Sequence, residues 1–197
     1  MLYTHTAFSQ AILEMFENLD SYLSQSYSNL PENAVSVYIF GGCAMHMHTG
    51  TRTSNDVDAE LQSVKELKPV NSIEKAIQSV DFDDEDGFPR SLDWDGGFSP
   101  SIASIAAGYE ERATQIHTTK SKLVSIYLVS AVDIAVSKIG RLETVDCQDI
   151  KSLYRNRLFT LEEFRETAAI ARDYCTTAIN KLEFNIKMAI NILEEEI

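Results

Sequence analysis

The segment between Gly41 and Asp58 constrains the fold more than any other part of the chain. An apolar run rich in β-forming residues (35–40) leads into the pair Gly41-Gly42, and two aspartates one residue apart, Asp56 and Asp58, follow. An apolar run that ends at paired glycines predicts a buried strand and a tight turn. The order of these parts therefore predicts a strand, a short helix and a second strand that carries Asp-x-Asp.

The two aspartates and the glycine pair have side-chain and backbone chemistry that suits a bound metal–nucleotide. Side chains alternate along a strand, so Asp56 and Asp58 are expected on one face while Val57 points into the core. Carboxylate oxygens are the ligands of Mg²⁺ or Mn²⁺, and a glycine turn lets backbone N–H groups of Gly41 and Gly42 approach a phosphate. The alternative is that this Asp-x-Asp pair is a solvated strand end or turn.

The same segment matches a known family pattern. Its spacing is Gly-x-Arg-x-Ser-x-Asp-x-Asp, formed by Gly50, Arg52, Ser54, Asp56 and Asp58. This pattern resembles the polymerase-β-like nucleotidyltransferase superfamily, and within it the bacterial branch that includes AbiEii-like abortive-infection toxins. The resemblance implies that Asp56 and Asp58 are catalytic metal ligands. It also implies that Gly41, Gly42, Arg52 and Ser54 bind the nucleotide.

A second block supports the resemblance, which covers residues 35–155 in order. It runs from 132 to Lys138 and Arg141 and continues through 146–150; segments 92–95 and 108–112 are also similar to segments of these relatives. By resemblance, Lys138 faces the nucleotide phosphates and takes part in catalysis, with Asp149 supporting it and Asp146 as a further acid. The structural alternative is a set of inter-helix ion pairs, because residues three apart on a helix are neighbours.

Several nearby residues have both a functional and a structural interpretation. The guanidinium of Arg52 is expected to contact phosphate, although it can instead orient the turn. A third carboxylate usually completes a two-metal site in this fold, and Glu60 and Asp95 are the candidates. Cys43 is expected to be a small packing residue. His46 and His48 lie two apart on the expected helix, which places them on different faces and indicates structural histidines.

The coarse organisation is α/β (α+β), with a small mixed sheet of the nucleotidyltransferase fold and a helical C-terminal half. We expect a core with an N-terminal helix over residues 1–130 and a helical region over 131–197. Further predicted elements are helices at 6–27 and 72–80, a strand at 56–61, strands at 112–118 and 122–129, and helices from 131 onward. The acidic, Gly- and Pro-containing stretch 81–100 is expected to be a surface loop.

Charge and cysteine content narrow the possible partners. The 197 residues include 30 acidic and 17 basic side chains, for a net charge of −13. Non-specific DNA or RNA binding needs a basic surface, so that function is excluded, whereas a metal-held anionic substrate or a basic protein partner is compatible. Three widely spaced cysteines and the lack of a signal peptide or membrane-spanning run predict a cytoplasmic protein without membrane attachment.

The combined hypothesis is a nucleotidyltransferase that moves a nucleoside monophosphate from an NTP to an acceptor hydroxyl, with Mg²⁺ or Mn²⁺ as cofactor. The resemblance implies tRNA or protein as acceptor, a role as a toxin or phage-defence component, and a cognate toxin or antitoxin partner. The alternative is a catalytically weak or inactive member of the fold that acts as an antitoxin or regulatory binding partner. An unrelated helical interaction module is disfavoured by the ordered second block.

Overall fold

A computed structural model describes residues 1–67, 71–98 and 104–196 of the chain. The chain divides into two compact units. The first contains Met1–Phe98 and Ala113–Leu128, and the second contains Ser99–Arg112 and Val129–Ile197. The mixed α/β class with a helical C-terminal half is confirmed, while the expected division at residue 130 stays a prediction.

The elements are numbered in chain order. The strands are β1 Val35–Ile39, β2 Asp56–Val57, β3 Ala59–Ser63, β4 Val80–Asp83, β5 Pro89–Trp94, β6 Thr114–Thr118 and β7 Val124–Leu128. The α-helices are α1 Ala7–Ser26, α2 Gly41–Thr49, α3 Asn71–Glu74, α4 Tyr109–Arg112, α5 Ala131–Ser137, α6 Thr144–Arg155, α7 Leu161–Tyr174 and α8 Ile179–Glu194. No helix in these described residues is both long and apolar enough to span a bilayer.

Two small sheets organise the first unit. One has the order β3-β1-β7-β6, with β1 parallel to β7 and antiparallel to β3. The other has the order β2-β5-β4. Helix α1 begins at Thr6, whose hydroxyl accepts the N–H of Ser9 at 3.2 Å, and it packs against β4 and β7. Its apolar stripe is buried, as its helical spacing predicts, through Phe8, Ile12, Met15, Phe16, Leu19 and Leu23.

The expectation that residues 81–100 form a loop is wrong for β4 and β5, which pair as an antiparallel hairpin. Asp84 makes the turn, because its Oδ1 accepts the N–H groups of Asp86 and Phe88 at 3.1 and 2.9 Å. Leu92 is fully buried and Val80 is 4% exposed, so alternate residues of an acidic segment still supply a core face. Residues 99 and 100 lie outside the described part of the chain.

The single strand expected over residues 56–61 is divided at Asp58. Before this residue β2 runs parallel to β5, and after it β3 runs antiparallel to β1. The backbone N–H of Phe40 donates to the Asp58 carbonyl at 2.8 Å, which fixes the division beside the end of β1. The helix expected over 72–80 is also shorter, since α3 ends at Glu74.

The second unit contains the predicted C-terminal helices. Helix α6 begins with a capping box in which Glu143 and Asp146 exchange side-chain and backbone hydrogen bonds, and α7 begins with the equivalent pair Thr160 and Glu163. Apolar residues of the helices form the core, and Asn185 donates to the Ile139 carbonyl at 2.7 Å. The buried members of this core include Ile134, Ile139, Leu153, Phe164, Leu182 and Leu193.

Candidate functional site

Three carboxylates meet where β2 and β5 end. One oxygen each from Asp56, Asp58 and Asp95 lies within 4.8 Å of the other two. Strand β2 pairs in parallel with β5, so Val57 lies opposite Trp94. An aspartate follows each strand, Asp58 after β2 and Asp95 after β5. The N–H of Asp95 donates to the Val57 carbonyl at 3.2 Å, which holds the two strand ends together. Parallel pairing thus brings Asp95 to the Asp-x-Asp motif.

This triad has the donor chemistry of a divalent metal site. Asp56 is exposed, and Asp58 and Asp95 are half-buried, so solvent and a substrate have access to the cluster. Carboxylate oxygens are the donors that Mg²⁺ and Mn²⁺ prefer, and Mg²⁺ keeps its other positions for water and substrate phosphates. Among the described residues, the cluster includes Asp95 and does not include the other candidate, Glu60.

The glycine pair lies directly beside the triad, at the start of α2. Gly41 has φ +57°, and a Cβ at this position would stand 1.8 Å from Oδ2 of Asp58. A Cβ on Gly42 would stand 2.9 Å from the Cβ of Ser54. Glycine is required here by close approach, and at Gly41 also by backbone conformation. No side chain caps the first N–H groups of α2, and these groups lie beside the carboxylates.

Asp56 is held by two neighbours. Ser54 Oγ donates to Oδ1 of Asp56 at 2.5 Å, and the Cys43 thiol donates to the Asp56 carbonyl at 3.3 Å. Ser54, predicted to bind nucleotide, therefore contacts a carboxylate of the triad. Burial, followed by the charges of Asp58 and Asp56, raises the pKa of the Cys43 thiol well above its usual value. The thiol stays protonated, in agreement with its expected packing role.

Arg52 lies in the loop between Gly50 and Ser54, half-buried. Its carbonyl accepts a hydrogen bond from Nδ1 of His46 at 2.7 Å. Nε2 of the same histidine lies 2.8 Å from the Thr6 hydroxyl. Both ring nitrogens are satisfied, and burial lowers the pKa of His46. The structural role expected for His46 is confirmed, whereas phosphate binding by Arg52 stays a prediction.

Lys138 lies in the second unit among buried acids. Its Nζ is 2.7 Å from Oδ2 of Asp149 and 3.9 Å from Oδ1 of Asp146, while Arg141 binds both oxygens of Asp146 at 2.8 Å. The side chains of Lys138 and Asp146 are 9% and 1% exposed. The ion pairs of the structural alternative are therefore present. The roles of Lys138 and Asp149 in catalysis and nucleotide binding stay predictions.

Asp95 is the site residue that the sequence left least defined. It belongs to a segment whose acids, glycines and prolines are typical of a loop, so no strand pairing could be assigned to it. The sequence signals for Asp95 were its carboxylate and the similarity of segment 92–95 to a segment of the family relatives. The parallel partner β2, two residues long, is too short to recognise from periodicity.

Comparison with known proteins gives one family match. Residues 11–196 match the family model described as "Nucleotidyltransferase of unknown function (DUF6036)". No curated protein matches the chain significantly. The match spans both compact units and agrees with the glycine turn and carboxylate cluster described above. The chain belongs to this family of nucleotidyltransferases.

Proposed function

We propose that this protein transfers a nucleoside monophosphate from an NTP to an acceptor hydroxyl at the site formed by Asp56, Asp58 and Asp95. The observation that supports the proposal is the convergence of these three carboxylates within 4.8 Å beside the glycine turn. Membership of a nucleotidyltransferase family supports the general chemistry. The specific donor, acceptor and metal are parts of the proposal.

Each residue contributes through its placement. The three carboxylates would hold Mg²⁺ or Mn²⁺, and Ser54 would orient Asp56 through its hydrogen bond. When bound, the metal neutralises charge on the phosphoryl oxygens and orients the reacting groups. Gly41 and Gly42 let the side chains of Asp58 and Ser54 approach the start of α2, where the first N–H groups would bind phosphate.

The roles proposed for two cationic side chains rest on the family resemblance. Arg52 would clamp phosphate oxygens, since a guanidinium presents paired donors to an anion. Lys138, oriented by Asp149, would supply a second positive charge. Electrostatic stabilisation of this kind provides most of the catalysis in phosphoryl transfer.

The biological role follows from the resemblance to the AbiEii-like branch. We propose a toxin or phage-defence component that modifies tRNA or a protein, with a cognate toxin or antitoxin as partner. The net charge of −13 favours a protein acceptor over tRNA, because a polyanion is repelled by an acidic surface. The three cysteines are free thiols, and a cytoplasmic location remains a prediction.

Label transfer tests the proposal. Each of the four α-³²P-NTPs is incubated with the protein, Mg²⁺ or Mn²⁺, and either total tRNA or whole-cell protein. Asp56→Ala/Asp58→Ala, shown to be folded by circular dichroism, is the control. We expect label from one nucleotide on one acceptor class and none with the control. Absence of label with every nucleotide from folded protein would contradict transfer.

The second candidate is a non-catalytic binding partner of the same fold. It is favoured by Cys43, whose thiol is a weak hydrogen-bond donor already used by the Asp56 carbonyl. The acidic surface also suits neutralisation of a basic protein. In this case a complex captured by the wild-type chain would survive Asp56→Ala/Asp58→Ala unchanged, and label transfer would be absent from both proteins.

A further inference from the structure

We propose that His46 is a positioning residue, which holds the Arg52 loop (residues 50–55) in the conformation that binds nucleotide. This inference rests on the proposed function, because Arg52 and Ser54 are its nucleotide-binding residues. His46 itself lies on α2, one turn after the glycine pair, and is 6% exposed. It therefore acts on the site through the loop and not by contact with substrate.

The hydrogen bonds of His46 define which nitrogen carries the proton when the ring is neutral. A backbone carbonyl only accepts, so Nδ1, 2.7 Å from the Arg52 oxygen, carries the proton and donates. In the neutral ring Nε2 is then an acceptor, and the Thr6 hydroxyl at 2.8 Å donates to it. The ring edge packs against Phe8, with centroids 4.9 Å apart. One neutral tautomer in one orientation fits these surroundings.

The Arg52 loop is tied to α2 at its beginning, middle and end. At its beginning, the N–H of Gly50 donates to the His46 carbonyl at 2.7 Å, and a Cβ on Gly50 would meet the Tyr3 ring at 2.6 Å. In its middle, the His46 ring holds Arg52. At its end, Ser54 lies against Gly42. Thr49 of α2 also contacts the start of the loop, with its Oγ1 2.8 Å from the Thr51 hydroxyl, whereas the His46 ring bonds the backbone at Arg52.

Tyr3 and Thr6 extend this arrangement to the N-terminal segment. The N–H of Tyr3 donates to the Met47 carbonyl at 2.9 Å, and the Tyr3 carbonyl accepts from Ser9 Oγ at 2.6 Å. Both residues lie before residue 11, where the family match begins. The N-terminal segment therefore contacts α2 at Met47, through Tyr3, and at His46, through Thr6.

The consequence for function is preorganisation. The loop has no helix or strand of its own at residues 51–55, so its order depends on these ties and on the hydrogen bond from the Asp93 N–H to the Asn55 carbonyl at 2.8 Å. Without the His46 bond, the loop must be ordered when the nucleotide binds, and that cost weakens binding. The cost is common to the ground state and the transition state, so KM for the NTP should rise while kcat changes little.

Three substitutions separate the two bonds of His46. His46→Asn keeps a donor near the position of Nδ1, His46→Gln reaches toward Thr6 in place of Nε2, and His46→Leu has neither. We expect His46→Leu and His46→Gln to raise KM for the NTP roughly threefold to tenfold, with kcat within about twofold of wild type. We expect KM of His46→Asn to lie much closer to the wild-type value, because this variant keeps the donor to the Arg52 carbonyl. His48→Leu removes the neighbouring imidazole of α2 and is the control, with KM near wild type.

Hydrogen–deuterium exchange at residues 51–55 tests the proposal without any catalytic activity. We expect faster exchange there in His46→Leu and His46→Gln than in wild type, His46→Asn and His48→Leu. Unchanged exchange and KM in His46→Leu would overturn the positioning role. If the wild-type protein transfers no label but the exchange pattern holds, the proposed function fails and the loop contact stands.

Discussion

Gly41 and Asp58 are in such close contact that no other residue can occupy position 41 without moving the carboxylate. A Cβ built on Gly41 would overlap Oδ2 of Asp58, at 1.8 Å, and the backbone there has φ +57°. The glycine that begins α2 and the second aspartate of the motif are therefore in direct contact, although sixteen residues lie between them in the chain.

Gly41→Ala should disable the site more than it disturbs the fold. A left-handed backbone costs a non-glycine residue about 1–2 kcal/mol, and the overlap must in addition displace Asp58 from the triad. We expect label transfer to fall on the order of 100-fold, since the metal ligands no longer converge. Gly87→Ala is the matched control, because Gly87 has φ +80° but no atom within 4 Å of the added Cβ. Equal activity losses in the two variants would contradict this explanation.

Asp95→Asn tests the third carboxylate. Replacing it removes one negative donor from the triad, so we expect transfer to fall on the order of 100-fold and the metal concentration needed for half-maximal rate to rise. Asp93→Asn, two residues earlier on the exposed face of β5, should stay within about threefold of wild type. The measurement is a titration of rate against Mg²⁺ and Mn²⁺. A normal titration for Asp95→Asn would remove Asp95 from the site.

Cys43 should be chemically inert in the native protein. It is fully buried and its pKa is raised, so it presents no thiolate to a reagent. Labelling of native protein with a maleimide should modify Cys147 and Cys175, which are both half-buried, well before Cys43. Mass spectrometry of the labelled peptides gives the order. Cys43→Ala should keep label transfer within about threefold of wild type, and rapid labelling of Cys43 would contradict its burial.

Asp146 should make the second unit sensitive to acid. Burial opposes its charge, but hydrogen bonds from Arg141 and the Glu143 N–H, together with Lys138, outweigh burial, and the pKa of Asp146 lies below its usual value of 3.8. A lowered folded-state pKa contributes stability that is present above pH 3.8 and is lost as pH falls through the lower folded value.

Asp146→Asn should therefore lower the free energy of unfolding by about 1–3 kcal/mol at pH 7 and by less at pH 3, which lies below the usual value of 3.8. Urea unfolding at pH 7 and pH 3 measures both values. Asp173→Asn is the control, since Asp173 pairs with Arg172 on the exposed surface, where an ion pair adds about 0–1 kcal/mol. A loss from Asp146→Asn that is the same at both pH values would contradict the linkage.

Helix α1, the C-terminal helices and the first strand were predictable because their signals are local. The buried stripe of α1, from Phe8 to Leu23, repeats at helical spacing, and the run that becomes β1 is apolar and β-branched. The glycine pair and Asp-x-Asp lie close together in the chain, so their joint meaning was readable without knowledge of distant contacts.

The β4–β5 hairpin and the division at Asp58 were not predictable because neither is a local property. Asp84 and Gly87 form a turn that composition alone assigns to a loop, and only packing of Val80 and Leu92 into a core makes strands of its arms. The break at Asp58 exists because two different strands pair on either side of it.

By itself, the sequence determined the class of the fold, the apolar faces of its helices and two aspartates of the carboxylate cluster, because these depend on residue type and on short, regular spacing. Only the tertiary structure decided that Asp95 joins them and that Glu60 does not. It also decided that His46 holds the Arg52 carbonyl and that Gly41 must lack a side chain. These are distances that no local spacing sets, because they depend on which strands pair and which surfaces pack.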